Sequence, residues 1–217
     1  MAMSSRQQQP AAGNGSAGEV QPGRERRIAE LPPRERILDA AEELFAREGI
    51  NAVGVQAIAD RARTTKMALY RHFTTKDALI LEWLRIVAAG YTAVLDQAAR
   101  AHPDDPRAQI LDVTRHFADG LSEISYRGCP FVNTIAALPD RDHPARRLIA
   151  DHKAGQVRRI TDLCARAGVP DPAGAAVAVT FALEGAQVSA QNGSVERAGE
   201  RLLSMVTAIL DGRLCES

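Results

Sequence analysis

Residues 55–76 read VQAIADRARTTKMALYRHFTTK, and the spacing within them decides the architecture. Ile58, Ala59 and Ala62 fall on one face of a short helix over 55–62. Leu69 and Phe73 fall on one face of a second, over 66–73, with Arg63, Thr64 and Thr65 as the turn. Two short helices joined by about three residues form a helix-turn-helix. The alanines at 59 and 62 let the two helices approach closely. Phosphate contacts need cations, hydroxyls and backbone N–H groups at helix starts. Thr64, Thr65, Lys66 and Tyr70 supply these around the second helix.

Outward from this unit the helical period continues. Upstream, Ile37, Leu38, Ala41, Leu44 and Phe45 form one apolar face after Pro32-Pro33, and Gly49 stops the helix. Downstream, Thr75 caps a long helix whose stripe runs Leu79, Ile80, Trp83, Ile86, Val87, Tyr91, Val94, Leu95, Ala98, ending before Pro103. Further helices are predicted over 106–125, 144–168, 172–192 and 195–211, with an irregular piece at 130–138. Pro106, Pro144 and Pro172 sit where first-turn prolines belong, and Gly168 and Gly193 where helices end. Nothing alternates with period two, so the fold class is all-α. Residues 1–30 have no apolar period and read as a disordered tail. Gly13, Gly15 and Gly18 there match G-x-G-x-x-G, but no strand precedes and no helix follows, so the match is chance. Arg24, Arg26 and Arg27 read as a solvated tail or as a flexible arm touching DNA.

Composition narrows the class. Net charge is zero, against a general nucleic-acid coat, but its distribution is uneven. Residues 24–76 carry 11 Lys/Arg and 8 Asp/Glu, and residues 77–217 carry 15 and 18. A small basic head on an acidic body fits that segregation, and so does random scatter on a soluble surface. Cys129, Cys164 and Cys215 are far apart, with no C-x-x-C, so a reducing cytoplasm is the simplest compartment. The most apolar stretch, 173–188, is short and holds Glu184, so no transmembrane helix is expected. No H-E-x-x-H, no G-x-S-x-G and no metal-spaced cysteines or histidines occur, and an enzyme is not expected.

Residues 36–49 (RILDAAEELFAREG), then Ile58-Ala59-Asp60, then Leu69-Tyr70-Arg71-His72-Phe73 and Lys76-Asp77-Ala78-Leu79, resemble in order and spacing the opening of the TetR family of repressors, over about 34–80. Residues 127–133 (RGCPFVN) resemble a segment found in one subset of that family. The resemblance implies a helical homodimer on a double-stranded, palindromic DNA operator, one reading helix per subunit, and release by a small organic effector. It implies a DNA-binding domain over 34–80 and a ligand-binding and dimerisation domain over 81–217. Tyr70, His72 and Lys76 would touch the backbone, while Thr65, Lys66, Met67 and Arg71 approach base edges. Gln56 is within reach of a phosphate or an adenine. His72 also reads as a core histidine, Tyr70 as a packing residue and Arg71 as merely solvated. Two departures stand out. Arg63 replaces a usual turn glycine, and Gly54 replaces a usual Ser or Thr cap.

For the effector, the inner faces of 80–190 offer Trp83, Tyr91, His116, Phe117, Phe131, Asn133, Phe181, Glu184 and Gln187, each of which also reads as core packing. Glu184, in an apolar helix, has to be paired or neutralised. The segment 173–188 is apolar nearly all round, and Ala198, Leu202, Met205, Val206 and Ile209 share one face. Two such helices per subunit would make a four-helix dimer seam, or ordinary core. The alternative function is a thiol-based redox sensor using Cys129, for which no flanking base is evident.

Overall fold

The computed structural model describes residues 31–121 and 128–213. The tail, Arg127, Cys215 and the last residues of the helix expected over 106–125 lie outside them. Among the described residues there are nine α-helices and no strand: α1 (Pro33–Glu48), α2 (Val55–Arg61), α3 (Lys66–His72), α4 (Lys76–Ala101), α5 (Pro106–Gly120), α6 (Pro130–Ala137), α7 (Pro144–Arg166), α8 (Pro172–Asn192) and α9 (Ala198–Leu210).

The ends follow local chemistry. Thr75 caps α4, its hydroxyl accepting from the Ala78 N–H at 3.0 Å. Asp105 and Asp171 cap α5 and α8 in the same way. Prolines open α5, α7 and α8, where a missing N–H costs nothing. Gly193 closes α8 in a left-handed conformation at φ 68°. The segment expected to be irregular at 130–138 is instead an eight-residue helix. Its Pro130 start hid a regular turn pattern, and Arg146 of α7 holds its far end, donating to the Ile135 and Leu138 carbonyls at 2.8 and 2.9 Å.

Two buried clusters organise the bundle. One gathers α1–α3 around Ile37, Phe45, Ile58, Leu69 and Leu79, and runs on through Trp83 to Phe131 and Ile149. The other gathers α5, α7, α8 and α9 around Ile110, Leu163, Val179, Leu202 and Val206. The long α4 joins them. By length and composition α4 and α8 are each apolar enough to cross a membrane, although 173–188 alone read as too short. Both bury one face in these cores, through Leu79, Trp83 and Leu84, and through Ala176 and Val179.

Candidate nucleic-acid interface

The reading unit is built from behind. Ile58, Ala59, Ala62 and Leu69 are fully buried and Phe73 nearly so, which fixes α2 against α3 and both against α1. The turn is a Schellman closure: the Arg63 N–H donates to the Asp60 carbonyl at 3.1 Å and the Thr64 N–H to the Ala59 carbonyl at 2.9 Å. That closure needs a left-handed residue, and Arg63 supplies it at φ 51°. The turn therefore forms with arginine in the place of glycine. Gly54 precedes α2 with no side-chain cap. Arg61 clamps the unit to α1, giving Glu43 two hydrogen bonds of 3.2 and 2.5 Å. At the other edge Arg34 lies 5.3 Å over the Phe73 ring and pairs with Glu82 of α4 at 2.7 Å. Arg34, then Arg85, holds the Glu82 carboxyl below its ordinary range.

The outward row of α3 is open. Thr65, Lys66, Met67, Tyr70, Arg71 and His72 are exposed, with Met67 76% and Tyr70 41% accessible. His72 is thus a surface residue, and its reading as a core histidine is withdrawn. The Thr65 hydroxyl accepts from the Ala68 N–H at 3.0 Å, capping α3, which leaves its own proton to donate. Thr64 and Lys76 are half-buried beside this row. Burial lowers the Lys76 ammonium below its ordinary pKa, and the Asp77 charge opposes that. Gln56 is exposed but donates to Asp60 at 2.8 Å, so its amide is already aimed along α2. An exposed helix face with cations, hydroxyls and one flexible apolar side chain has the chemistry of a groove-reading surface.

The body brings some candidate effector residues together and separates others. Tyr91, Phe117, Glu184 and Gln187 line one cleft, with Lys153, Gln156 and Thr180, which sequence reading missed. Tyr91 stacks on Phe117 at 5.5 Å, and the buried Phe131 lies behind it at 5.4 Å. Glu184 is paired, Lys153 Nζ lying 3.0 Å away, although its side chain is 37% exposed and so is not forced to pair by burial. Lys153 is the sole lysine beyond Lys76, a signal obscured by the many arginines. His152 beside it is pushed below its ordinary pKa by burial and then by the Lys153 charge. The free volume of this cleft is about 30 Å³, room for about two waters. Trp83, Tyr91 and Asn133 line a separate cavity of about 690 Å³ between α1, α4 and α6. His116 and Phe181 belong to neither. His116 is exposed on α5, and Phe181 is 69% accessible on the outer face of α8, because a helix apolar all round has an outer face too. Both described cysteines, Cys129 and Cys164, are buried, and burial raises the Cys164 thiol. Neither position supports thiol sensing.

Comparison with known proteins agrees with this geometry. The sequence pattern of the bacterial regulatory proteins of the tetR family matches residues 37–83. The HTH-type transcriptional activator FasR of Mycolicibacterium smegmatis is 39% identical over 112 residues, 50% of this chain and 51% of that protein. The HTH-type transcriptional regulator AcrR of Shigella flexneri is 26% identical over 114 residues, 48% and 53% respectively. The matched stretches thus span about half the length of these two relatives. Among solved structures, SCO4454, a TetR-family transcriptional regulator from Streptomyces coelicolor, superposes with a TM-score of 0.78 at 31% identity, covering 83% of this chain and 95% of that one. Reduced NemR of E. coli shares the fold, with a TM-score of 0.69 at 19% identity over 82% of this chain and 97% of that one.

Proposed function

This chain belongs to the TetR family of bacterial regulators, and from that premise we propose that it represses transcription by binding a palindromic operator as a homodimer, and lets go when a small organic molecule binds. The observation that carries the reading is the exposed row from Thr65 to His72, backed by a fully buried Leu69. In this reading residues 34–80 read DNA, and 81–217 dimerise and sense. Thr65, Lys66, Met67 and Arg71 face base edges, Thr64, Tyr70, His72 and Lys76 serve the backbone, and Gln56 serves a phosphate or an adenine. One head spans few base pairs, so specificity calls for two heads on a two-fold axis. The exposed apolar residues Val177, Phe181 and Val188 of α8, and Met205 of α9, supply a seam. The protein then works where the DNA is, in the cytoplasm, as a transcription factor rather than an enzyme.

The test is the salt dependence of operator binding. Lys76→Ala should weaken binding to every sequence and reduce the slope of log K against log salt by about one unit. An unchanged slope would remove Lys76 from the interface. Because the relative FasR is named an activator, activation is the second reading. Deleting the gene should raise transcripts from the operator-bearing promoter; a fall would make the protein an activator.

A further inference from the structure

We infer that the 690 Å³ cavity between the DNA-reading head and the body binds an uncharged, largely apolar molecule carrying one hydrogen-bond acceptor, of the ketone or ester class. Its walls come from both halves: Phe45 of α1 and Ile50 in the turn after it, Trp83 and Tyr91 of α4, and Thr134 and Ala137 of α6. The volume is that of a small-molecule site. Two lining groups are buried and unsatisfied. The Trp83 indole N–H and the Thr134 hydroxyl have no hydrogen-bond partner among the described residues, though the side chains are 3% and 1% exposed. Thr134 is unusual in this chain. Thr92, Thr114, Thr161, Thr180 and Thr207 all return their hydroxyl to the carbonyl four residues back. Thr134 alone among the threonines inside the described helices does not, and it is one of the residues that line the cavity.

The two orphaned groups select the ligand. An indole N–H only donates, and a threonine hydroxyl is free to donate when an acceptor is offered. A carbonyl oxygen, with two lone pairs, can accept from both at once. No Lys, Arg or His is among the described lining residues. The one charged side chain is the Glu48 carboxylate, already held by Arg47 at 2.6 Å. Among the described lining residues an anion would therefore find no counter-charge, whereas a neutral carbonyl enters at little cost. Apart from the Asn51 and Asn133 amides and the Tyr91 hydroxyl, the described wall is alkyl and aromatic, which calls for an alkyl or ring body. Such a molecule would touch the Phe45–Trp83 ring contact, at 5.2 Å, and lie close to the Asn51–Ala137 hydrogen bond, at 3.0 Å. Both contacts tie the reading head to α4 and α6.

Trp83 is the single tryptophan of the chain, so its emission reports occupancy of this cavity directly. The experiment titrates the full-length protein, without DNA, with decan-2-one and separately with decanoate at pH 8. Decan-2-one should change Trp83 emission saturably. Thr134→Val, which keeps the shape and removes the donor, should weaken it about tenfold. Decanoate should bind at least about ten times more weakly than the ketone. No saturable change up to the solubility limit, equal affinity in Thr134→Val, or decanoate binding as well as the ketone would each overturn the site. If Thr134→Val melts at room temperature, Trp83→Phe followed by calorimetry takes its place, with the same tenfold loss expected. The regulatory consequence rests on the function proposed above, but these titrations contain no operator. Their failure would leave the DNA-binding reading intact, and failed operator binding would leave the site intact.

Discussion

At Arg63 the backbone conformation and the side chain disagree. The Schellman closure demands a left-handed residue, and a non-glycine there costs about 1–2 kcal/mol. The departure from glycine was visible in the sequence through its resemblance to the TetR family, whose usual turn glycine Arg63 replaces. Its outcome was not visible, because the strain competes with packing of Ile58, Ala62 and Leu69, which only coordinates weigh. Arg63→Gly should relieve the strain while loosening the unfolded chain, for a net gain of about 0.5–1 kcal/mol. Denaturant unfolding checks this as a rise in midpoint at constant slope. A lower midpoint would mean that the Arg63 side-chain contacts outweigh the backbone cost. Glu184 is the companion case. An apolar helix pointed to a partner for its carboxylate, but not to Lys153, 3.0 Å away on α7, as the one.

At the scale of the element, the reading helix and the long helix behind it are both started by a threonine. Thr65 and Thr75 each accept from an N–H three residues on, at 3.0 Å, whereas Gly54 gives α2 no such bond. Thr75→Ala should therefore cost about 1 kcal/mol, and Gly54→Ser should return a few tenths, because a glycine cap is only slightly worse than a serine. Open space around Gly54 admits the added side chain. Thermal unfolding of both variants checks the pair; a neutral Thr75→Ala would show that packing alone holds the start of α4. α4 was legible because its apolar period and the Thr75 cap agreed, and α2 and α3 because their apolar residues fall on one face. The piece at 130–138 was not, because Gly128 and Pro130 together read as a break in the chain rather than as a helix start. Nor was the outer side of α8, since an even spread of Ala, Val and Phe gives no direction. Phe181 therefore reads as a pocket residue in one dimension and stands on the surface in three.

That outer side bears on the whole molecule. Val177, Phe181 and Val188 on α8 and Met205 on α9 are 43%, 69%, 47% and 49% exposed in the single chain, an apolar set that water does not favour. A two-fold axis through this face would set the same patch of each subunit against the other, so that every contact occurs twice. Replacing the ring with a carboxylate puts two like charges across such a seam and removes its largest apolar contact. Phe181→Glu should therefore sediment as a monomer at concentrations where the parent is a dimer. Its melting temperature, read below the dissociation concentration of both proteins, should hardly move, because the side chain packs little within its own subunit. Operator affinity should fall about 100-fold or more, since the second head loses the effective concentration its partner gives it. A variant that stays dimeric and keeps its operator affinity would move the seam off this face. A variant that stays dimeric but no longer answers a small molecule would return Phe181 to an effector site, against its open position on α8.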